Sequence, residues 1–368
     1  MRKNVKKQLA LRVLSTAALL AMVSSIATAA FADTYDLNTG SVTVETKDDG
    51  YTYVTQTDTK TGDFAQNSKG DTLDGYKDTD PKGVTITSGG KQTSNTITVE
   101  TADKQTTNVT LENVHIEQPD SHWSGNTDPA PIEIKGKGDT NLELNGDNIV
   151  LSGNSKHAGI EKADVNGTGT LTIKDDVNDD GKLLAGGYGS GAGIGGGSYH
   201  DGKSYDHTSN ITITGGDITA SGGTHGAGIG GGDGGTGKNI RIEGDAHVTA
   251  FAYDSAAIGS GYESSGNSDI TITGNATVTA ASEVGSGIGQ GLNASGKATI
   301  TISGNASVNA EVFNMPAAIG SHSSSATVNI EDHADVTAVG FGVAIGTGSG
   351  HGGTSTVINI TGGTVNAV

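Results

Sequence analysis

The sequence contains no cysteine and little bulky apolar mass. Its 368 residues include 59 glycines but only one tryptophan, nine tyrosines and five phenylalanines, so aromatic residues make up 4% of the chain. The lack of cysteine excludes disulfides, zinc–thiolate sites and cysteine nucleophiles, and the fold itself has to provide the stability. The large side chains are too few for an ordinary globular core, and this composition favours a thin core that is repeated many times.

Basic residues are scarce after the first segment of the chain. Residues 1–32 combine five Lys and Arg residues, an apolar stretch over residues 13–26 and the triplet Ala30-Phe31-Ala32. Because the apolar stretch is short for a membrane span, this arrangement predicts a secretory signal peptide cleaved before Asp33, and hence a secreted, extracellular or cell-surface protein. The remaining chain has 17 basic and 41 acidic residues, a formal charge of −24. Such a charge disfavours nucleic acid and anionic membranes as partners.

The spacing of an amphipathic helix is missing throughout, and the chain instead repeats itself. Segments of the type Ile-x-Ile, usually followed by a Gly-Gly or Gly-Asn pair, recur every 28–30 residues. They begin at Ile211, Ile240, Ile270, Ile300, Val328 and Ile358. A second anchor, usually Gly-Ile-Gly or Ala-Ile-Gly, recurs at Ile160, Ile194, Ile229, Ile258, Ile288, Ile319 and Ile345.

Each repeat is predicted to form one coil of a parallel β-solenoid. The Ile-x-Ile segment has period two, so both isoleucines face inward and the residue between them faces outward. A turn follows, and a second short strand such as Val278-Thr279-Ala280 and the Ile-Gly anchor supply further inward residues. Three such contacts suit a triangular cross-section with equivalent strands stacked about 4.8 Å apart. An antiparallel sandwich is the alternative, but it does not require identical apolar positions at a fixed spacing.

The chain is predicted to contain a signal peptide at residues 1–32, an N-terminal cap with irregular first coils at 33–108, and the solenoid at 109–368. Strand-like segments in the cap region lie at residues 42–45, 51–54, 84–87 and 96–99. A solenoid needs a cap because its terminal coil otherwise exposes the apolar interior. No C-terminal cap is recognisable, which indicates either a short cap of unknown form or a sequence cut from a longer protein.

Several segments resemble a family of Firmicute secreted and surface proteins described as carbohydrate-binding domains. The most distinctive is GAGIGGG at residues 191–197 and again at 226–232, and the segments at 36–44, 107–116, 141–146 and 169–173 follow the family's order. The resemblance covers nearly all of residues 33–368. It implies an all-β, right-handed, pectate-lyase-like parallel β-helix that binds polysaccharide, often with calcium and without catalysis, as an adhesin of a Gram-positive bacterium. These motifs are structural, so they indicate the fold more directly than the ligand.

An acidic loop predicts a calcium site. Asp176, Asn178, Asp180 and Gly181 match the first half of a calcium-binding loop, in which alternate oxygen side chains surround the ion and glycine permits the turn. The glutamate expected at the twelfth loop position is replaced by Gly187. A ligand from elsewhere would therefore have to complete the site, and an acidic surface loop without an ion is the alternative.

Aromatic residues in predicted loops are the candidates for stacking on sugar rings. They are Trp123, Tyr188, Tyr199, Tyr205, Tyr253 and Tyr262. Tyr199 and Tyr205 belong to an insertion that also holds His200, Asp201, Asp206 and His207. Insertions on one face of a solenoid often form its binding surface, although each of these residues also fits an ordinary polar loop.

Two other functions are considered beside polysaccharide binding. A lyase needs a basic residue to take up the substrate proton, and Arg241 is the sole arginine after residue 32. No paired carboxylates recur at a spacing that indicates a glycosidase, so we expect no enzymatic activity. A purely structural or ice-binding surface would use ranks of outward threonines, but Arg241 and Glu243 interrupt those ranks. The glycine-rich runs lack the Gly-Lys-Ser/Thr of a nucleotide loop and are interpreted as tight turns.

Overall fold

The fold is all-β, as the sequence predicts. The computed structural model describes residues 34–67, 70–80, 83–120, 129–164, 167–198, 207–314, 317–348 and 355–368. The predicted signal peptide lies outside these residues. Within them the chain forms 33 strands and no helix, and therefore no helix long and apolar enough to cross a membrane.

The strands are short and follow one another closely along the chain. They are β1 (Thr34–Asp36), β2 (Val42–Thr46), β3 (Thr52–Gln56), β4 (Tyr76–Asp78), β5 (Val84–Thr87), β6 (Gln92–Thr93), β7 (Ile97–Thr101), β8 (Thr106–Glu112), β9 (His115–Glu117), β10 (Ile132–Gly136), β11 (Asp139–Asn145), β12 (Asp147–Leu151), β13 (Ile160–Glu161), β14 (Leu171–Lys174), β15 (Lys182–Gly186), β16 (Ile194–Gly195), β17 (Thr208–Ile213), β18 (Asp217–Ser221), β19 (Ile229–Gly230), β20 (Gly237–Ile242), β21 (His247–Ala252), β22 (Ile258–Gly259), β23 (Ser268–Ile272), β24 (Thr277–Ser282), β25 (Ile288–Gly289), β26 (Ala298–Ile302), β27 (Ser307–Val312), β28 (Ala317–Ser321), β29 (Ala326–Ile330), β30 (Asp335–Gly340), β31 (Val343–Thr347), β32 (Thr356–Ile360) and β33 (Thr364–Ala367).

Three sheets run along the molecule, and the chain visits them in turn. The first sheet has 11 strands in the order β1-β5-β8-β11-β14-β17-β20-β23-β26-β29-β32. The second has 12 strands in the order β31-β28-β25-β22-β19-β16-β13-β10-β7-β2-β3-β4. The third has 10 strands in the order β33-β30-β27-β24-β21-β18-β15-β12-β9-β6. From β5 onward each strand pairs in parallel with its equivalent one coil away, which is the predicted parallel β-helix.

The register confirms the repeat that the sequence predicts. Ile211 pairs with Ile240, and the same column continues through Ile270 to Ile300. The Ile-Gly anchors form a second column in the same way, and Val278 and Ala280 of the third sheet are buried inside. The core is therefore a narrow aliphatic interior, in which β-branched side chains stack on identical side chains of the neighbouring coils.

The glycine of the Ile-Gly anchor is required by backbone geometry. Gly195, Gly230, Gly259, Gly289, Gly320 and Gly346 have φ between 133° and 138°, a region that L side chains rarely adopt. A Cβ atom on Gly259 would also lie 1.9 Å from the carbonyl oxygen of Gly289 in the next coil. The glycines thus allow the coils to approach closely at this corner, as the interpretation of the glycine runs as tight turns predicts.

The first described strands depart from the parallel pattern, and we refer to β2, β3 and β4 as the cap. Strands β2, β3 and β4 pair antiparallel, unlike the coils that follow. The hydroxyl of Tyr35 donates a hydrogen bond of 2.7 Å to Asp78, and Leu37 and Leu73 are fully buried. The predicted strands at 42–45, 51–54, 84–87 and 96–99 coincide with β2, β3, β5 and β7.

Candidate functional site

One column of aromatic residues follows the corner where the third-sheet strands end. Strands β15, β18, β21, β24, β27 and β30 of the third sheet pair in a fixed register. If this register is extended one or two residues past the strand ends, it aligns one loop position from each coil. These positions hold Tyr188, Gly223, Tyr253, Glu283, Phe313 and Phe341. We call Tyr188, Tyr253, Phe313 and Phe341 the aromatic column.

The aromatic column is partly open to solvent, and its rings from Tyr188 to Phe313 recur at every second coil. Phe313 is 45% exposed and Phe341 is 81% exposed, whereas Tyr188 and Tyr253 are half-buried. Tyr188 and Tyr253 lie two coils apart, as do Tyr253 and Phe313, which corresponds to about 9.6 Å at the usual strand spacing of about 4.8 Å. The rings thus form a row parallel to the solenoid axis.

A polar cluster lies beside the aromatic column, in the loops that flank the short Ile-Gly strands. The rings of His225 and Tyr262 stack with their centroids 4.8 Å apart and an interplanar angle of 23°. His225 Nδ1 lies 3.6 Å from Asp233 Oδ2, and Nε2 lies 3.5 Å from Asp254 Oδ2. Backbone bonds hold this arrangement, since Tyr262 N–H donates to the carbonyl of His225 over 3.1 Å. The polar cluster therefore joins loops of two consecutive coils.

Two further side chains extend the polar cluster to the neighbouring coils. Ser190 Oγ donates to Asp233 Oδ2 over 3.2 Å, and Asn293 Nδ2 donates to the Tyr262 hydroxyl over 3.3 Å. Burial raises the pKa of Asp233, although the neighbouring His225 opposes that shift. A hydrogen bond to Glu263 raises the pKa of Tyr262. The polar cluster thus presents hydroxyl, amide, imidazole and carboxylate groups along four successive coils.

The predicted sugar-binding residues fall into three groups. Tyr188 and Tyr253 belong to the aromatic column, and Tyr262 belongs to the polar cluster. Trp123, Tyr199 and Tyr205 lie outside the described residues, as do His200, Asp201 and Asp206 of the same insertion. The structure therefore brings Tyr188 and Tyr253 into one row and places Tyr262 beside that row.

Sequence reasoning missed several residues of this face. Phe313 and Phe341 were not among the candidates, nor were His225, Asp233 and Asp254. The repeat held a signal for Phe313, which follows Tyr253 by two coils in the register. The sequence held no such signal for the stack of His225 on Tyr262. His225 lies in the loop before β19, whereas Tyr262 lies in the loop after β22, so the two residues are not at equivalent positions of their coils.

The residues of the predicted calcium loop contact separate partners. Asp176 Oδ2 lies 2.5 Å from Lys174 Nζ, Asn178 donates to Asn145, and Asp180 accepts from the Gly146 N–H. In the part of the chain that the structure describes, no three His, Asp or Glu side chains form a group that could hold a metal ion. Calcium binding at this loop stays a prediction.

A buried polar group lies at the start of the Ile-Gly column. His157 Nδ1 is 2.8 Å from Glu161 Oε2, and both side chains are nearly inaccessible. The Lys162 side chain is 2% exposed, and its Nζ lies 3.7 Å from Asp164 Oδ1. Burial lowers the pKa of Lys162. Glu161 pairs with Gly195 of the next coil and so interrupts the column of anchor glycines.

Comparison with known proteins supports the architecture. A family model described as a beta helix repeat matches residues 211–233, which run from within β17 through β18 and β19. No curated protein and no solved structure matches the chain. The family match and the three sheets agree on a parallel β-helix fold.

Proposed function

We propose that this protein is a secreted or cell-surface polysaccharide-binding protein, such as an adhesin, and that it has no enzymatic activity. The aromatic column and the polar cluster together form its binding face. The observation that supports this proposal most directly is the row of partly exposed rings parallel to the solenoid axis.

The geometry of the aromatic column suits a long, extended glycan. Aromatic faces stack on the apolar faces of pyranose rings, and such contacts bury apolar area at little conformational cost. One sugar unit of an extended β-linked chain is about as long as one coil step, so rings two coils apart match alternate sugar units. A glycan that lies along the solenoid axis would therefore contact Tyr188, Tyr253 and Phe313 in the same way.

The polar cluster supplies the groups that sugar hydroxyls need. Carboxylates accept hydrogen bonds from hydroxyls, and the amide of Asn293 both donates and accepts. Asp233 and Asp254 are already oriented by His225, whose ring is held in turn by Tyr262. Groups oriented in advance lose less conformational entropy when a ligand binds, which favours affinity.

The first experiment measures binding of residues 33–368 to soluble polysaccharides by isothermal titration calorimetry. The double variant Tyr253→Ala, Phe313→Ala is expected to lose at least tenfold in affinity, about 1.4 kcal/mol, because it removes two adjacent rings of the column. The matched control is Phe64→Ala in the cap, since Phe64 is 45% exposed, as is Phe313. Equal losses in the two variants, or no binding to any polysaccharide, would refute the proposed face and favour a structural role.

The same preparation tests calcium and catalysis. We propose that calcium assists binding through Asp176, Asn178 and Asp180, so a chelator should weaken the binding and Asp176→Asn should abolish the chelator effect. Incubation with polygalacturonate should release no unsaturated products. Release of such products would overturn the non-enzymatic assignment and favour a polysaccharide lyase.

A further inference from the structure

Carboxylates accompany the aromatic rings of the binding face. The Tyr188 hydroxyl donates to Asp120 Oδ2 over 3.4 Å, and Asp254 directly follows Tyr253 in the chain. Glu283 occupies the column position between Tyr253 and Phe313. Each of the rings Tyr188, Tyr253 and Phe313 therefore has an acidic residue near it. The acidic residue either contacts the ring, follows it in the chain or lies one coil away, at a strand spacing of about 4.8 Å.

Basic residues are missing from most of the loops that build this face. The loop segments before the short strands cover residues 187–193, 222–228, 252–257, 282–287 and 312–314, and they contain no lysine or arginine. The loops after β19, β22 and β25, at residues 231–236, 260–266 and 290–296, contain none either, whereas the loop after β16 contains Lys203, which lies outside the described residues. Lys156 lies one coil before Ser190 and is the basic residue at the N-terminal edge of the face. The face thus carries negative charge at the coils that hold Tyr253, Glu283 and Phe313.

Glu283 is held in a defined position between two rings. Its Oε1 accepts a hydrogen bond of 3.0 Å from Asn314 Nδ2, and its backbone N–H bonds to the carbonyl of Ala252. A glycan that stacks on Tyr253 and Phe313 places the sugar between them over Glu283. A protonated amine on that sugar would form a charge-assisted hydrogen bond with the carboxylate, and the neighbouring rings would also attract the cation.

From this arrangement we infer that the binding face selects extended glycans that carry free amino groups, in preference to neutral or uronate-containing glycans. The inference rests on the proposed polysaccharide-binding function. Charge complementarity supports it, because a uronate polymer would be repelled by the carboxylates and a neutral polymer would gain no ion pair. In the order ring, carboxylate and ring over three coils, Glu283 is placed to meet the amine of the middle one of three successive sugars.

The test compares three soluble hexamers of the same β-1,4 linkage: glucosamine, N-acetylglucosamine and glucose. Titration calorimetry of residues 33–368, at a pH that protonates the amines and at physiological salt, is expected to show at least tenfold tighter binding of the glucosamine hexamer. Glu283→Gln should remove most of this preference, measured as the ratio of the affinities for the glucosamine and glucose hexamers. The control Glu331→Gln makes the same change of charge at the turn after β29 and should have little effect.

Each result separates this inference from the function on which it rests. Equal affinity for the three hexamers would overturn the amino-sugar preference but leave polysaccharide binding intact. An equal loss in Glu283→Gln and Glu331→Gln would show general charge attraction and would also overturn it. If no hexamer and no polysaccharide binds, both the preference and the proposed function fail.

Discussion

The first and last described coils contain similar strands but differ in how far their apolar side chains are buried. At the N-terminal end the antiparallel strands β2, β3 and β4 form a cap, and Tyr35 and Leu73 beside it are 1% exposed. In β32, at the other end of the first sheet, Ile358 and Ile360 are 44% and 54% exposed. Their equivalents in the preceding coil, Val328 and Ile330, are fully buried.

The difference shows that a residue in this fold is buried by neighbouring coils rather than by its own. The segments that start at Ile300 and Ile358 have nearly the same sequence pattern, yet the first contributes to the core and the second is half-exposed. Stability in a solenoid is close to a sum of interfaces between adjacent repeats. The effect of a substitution should therefore depend on how many coils cover it.

The largest expected contrast is between two isoleucines of the first sheet. Ile86→Ala, next to the cap, removes a fully buried side chain and should destabilise the protein by about 2–5 kcal/mol. Ile360→Ala should cost less than about 1 kcal/mol because half of that side chain already contacts solvent. Urea unfolding followed by circular dichroism measures both. Similar losses in the two variants would contradict the dependence on neighbouring coils.

A smaller contrast is expected for two glycines with the same backbone conformation. Gly259 and Gly346 have φ of 138° and 137°, so alanine at either position is strained by about 1–3 kcal/mol. At Gly259 the new Cβ also lies 1.9 Å from the carbonyl oxygen of Gly289, whereas at Gly346 the nearest atom is 3.5 Å away. Gly259→Ala should therefore lower the melting temperature more than Gly346→Ala. Equal decreases in melting temperature would mean that the strain at φ accounts for the whole effect and that the contact with the next coil contributes nothing.

The smallest effect concerns the anchor of the cap. Tyr35→Phe removes the 2.7 Å hydrogen bond to the buried Asp78 carboxylate, which should cost about 1–3 kcal/mol. Tyr51→Phe is the control, because Tyr51 is 49% exposed, and its cost should stay within about 0.5 kcal/mol. Denaturant unfolding compares the two variants. A control loss as large as that of Tyr35→Phe would mean that the buried bond does not hold the cap.

The period and the inward positions of the fold could be predicted from the sequence. Ile211, Ile240 and Ile270 recur at a constant spacing, and only stacked parallel strands place such residues in one column. The candidate site was predicted only in part. Tyr188 and Tyr253 stood out as aromatic residues in loops, but their shared row depends on where each coil ends.

Burial of charged groups could not be predicted from the pattern. Lys162 follows Ile160 and Glu161, which are both buried. Two successive buried residues do not follow the alternation of a strand, so the alternation does not predict on which side the Lys162 side chain lies. The structure buries it with 2% exposure, at a coil position where the next coil has Gly196. Whether a lysine has room inside the corner depends on the side chains of the neighbouring coil. Here the aligned residue is Gly196, about 34 residues later in the chain.

The sequence by itself determined the class of fold, because repeated aliphatic pairs and glycine turns have one arrangement that buries every pair. Only the tertiary structure decided which loop residues meet. His225 reaches Tyr262, and Glu283 comes to lie between Tyr253 and Phe313, through the register of successive coils. The physical reason is that a coil repeats its backbone path strictly, whereas its loops carry side chains that contact residues one or two turns away.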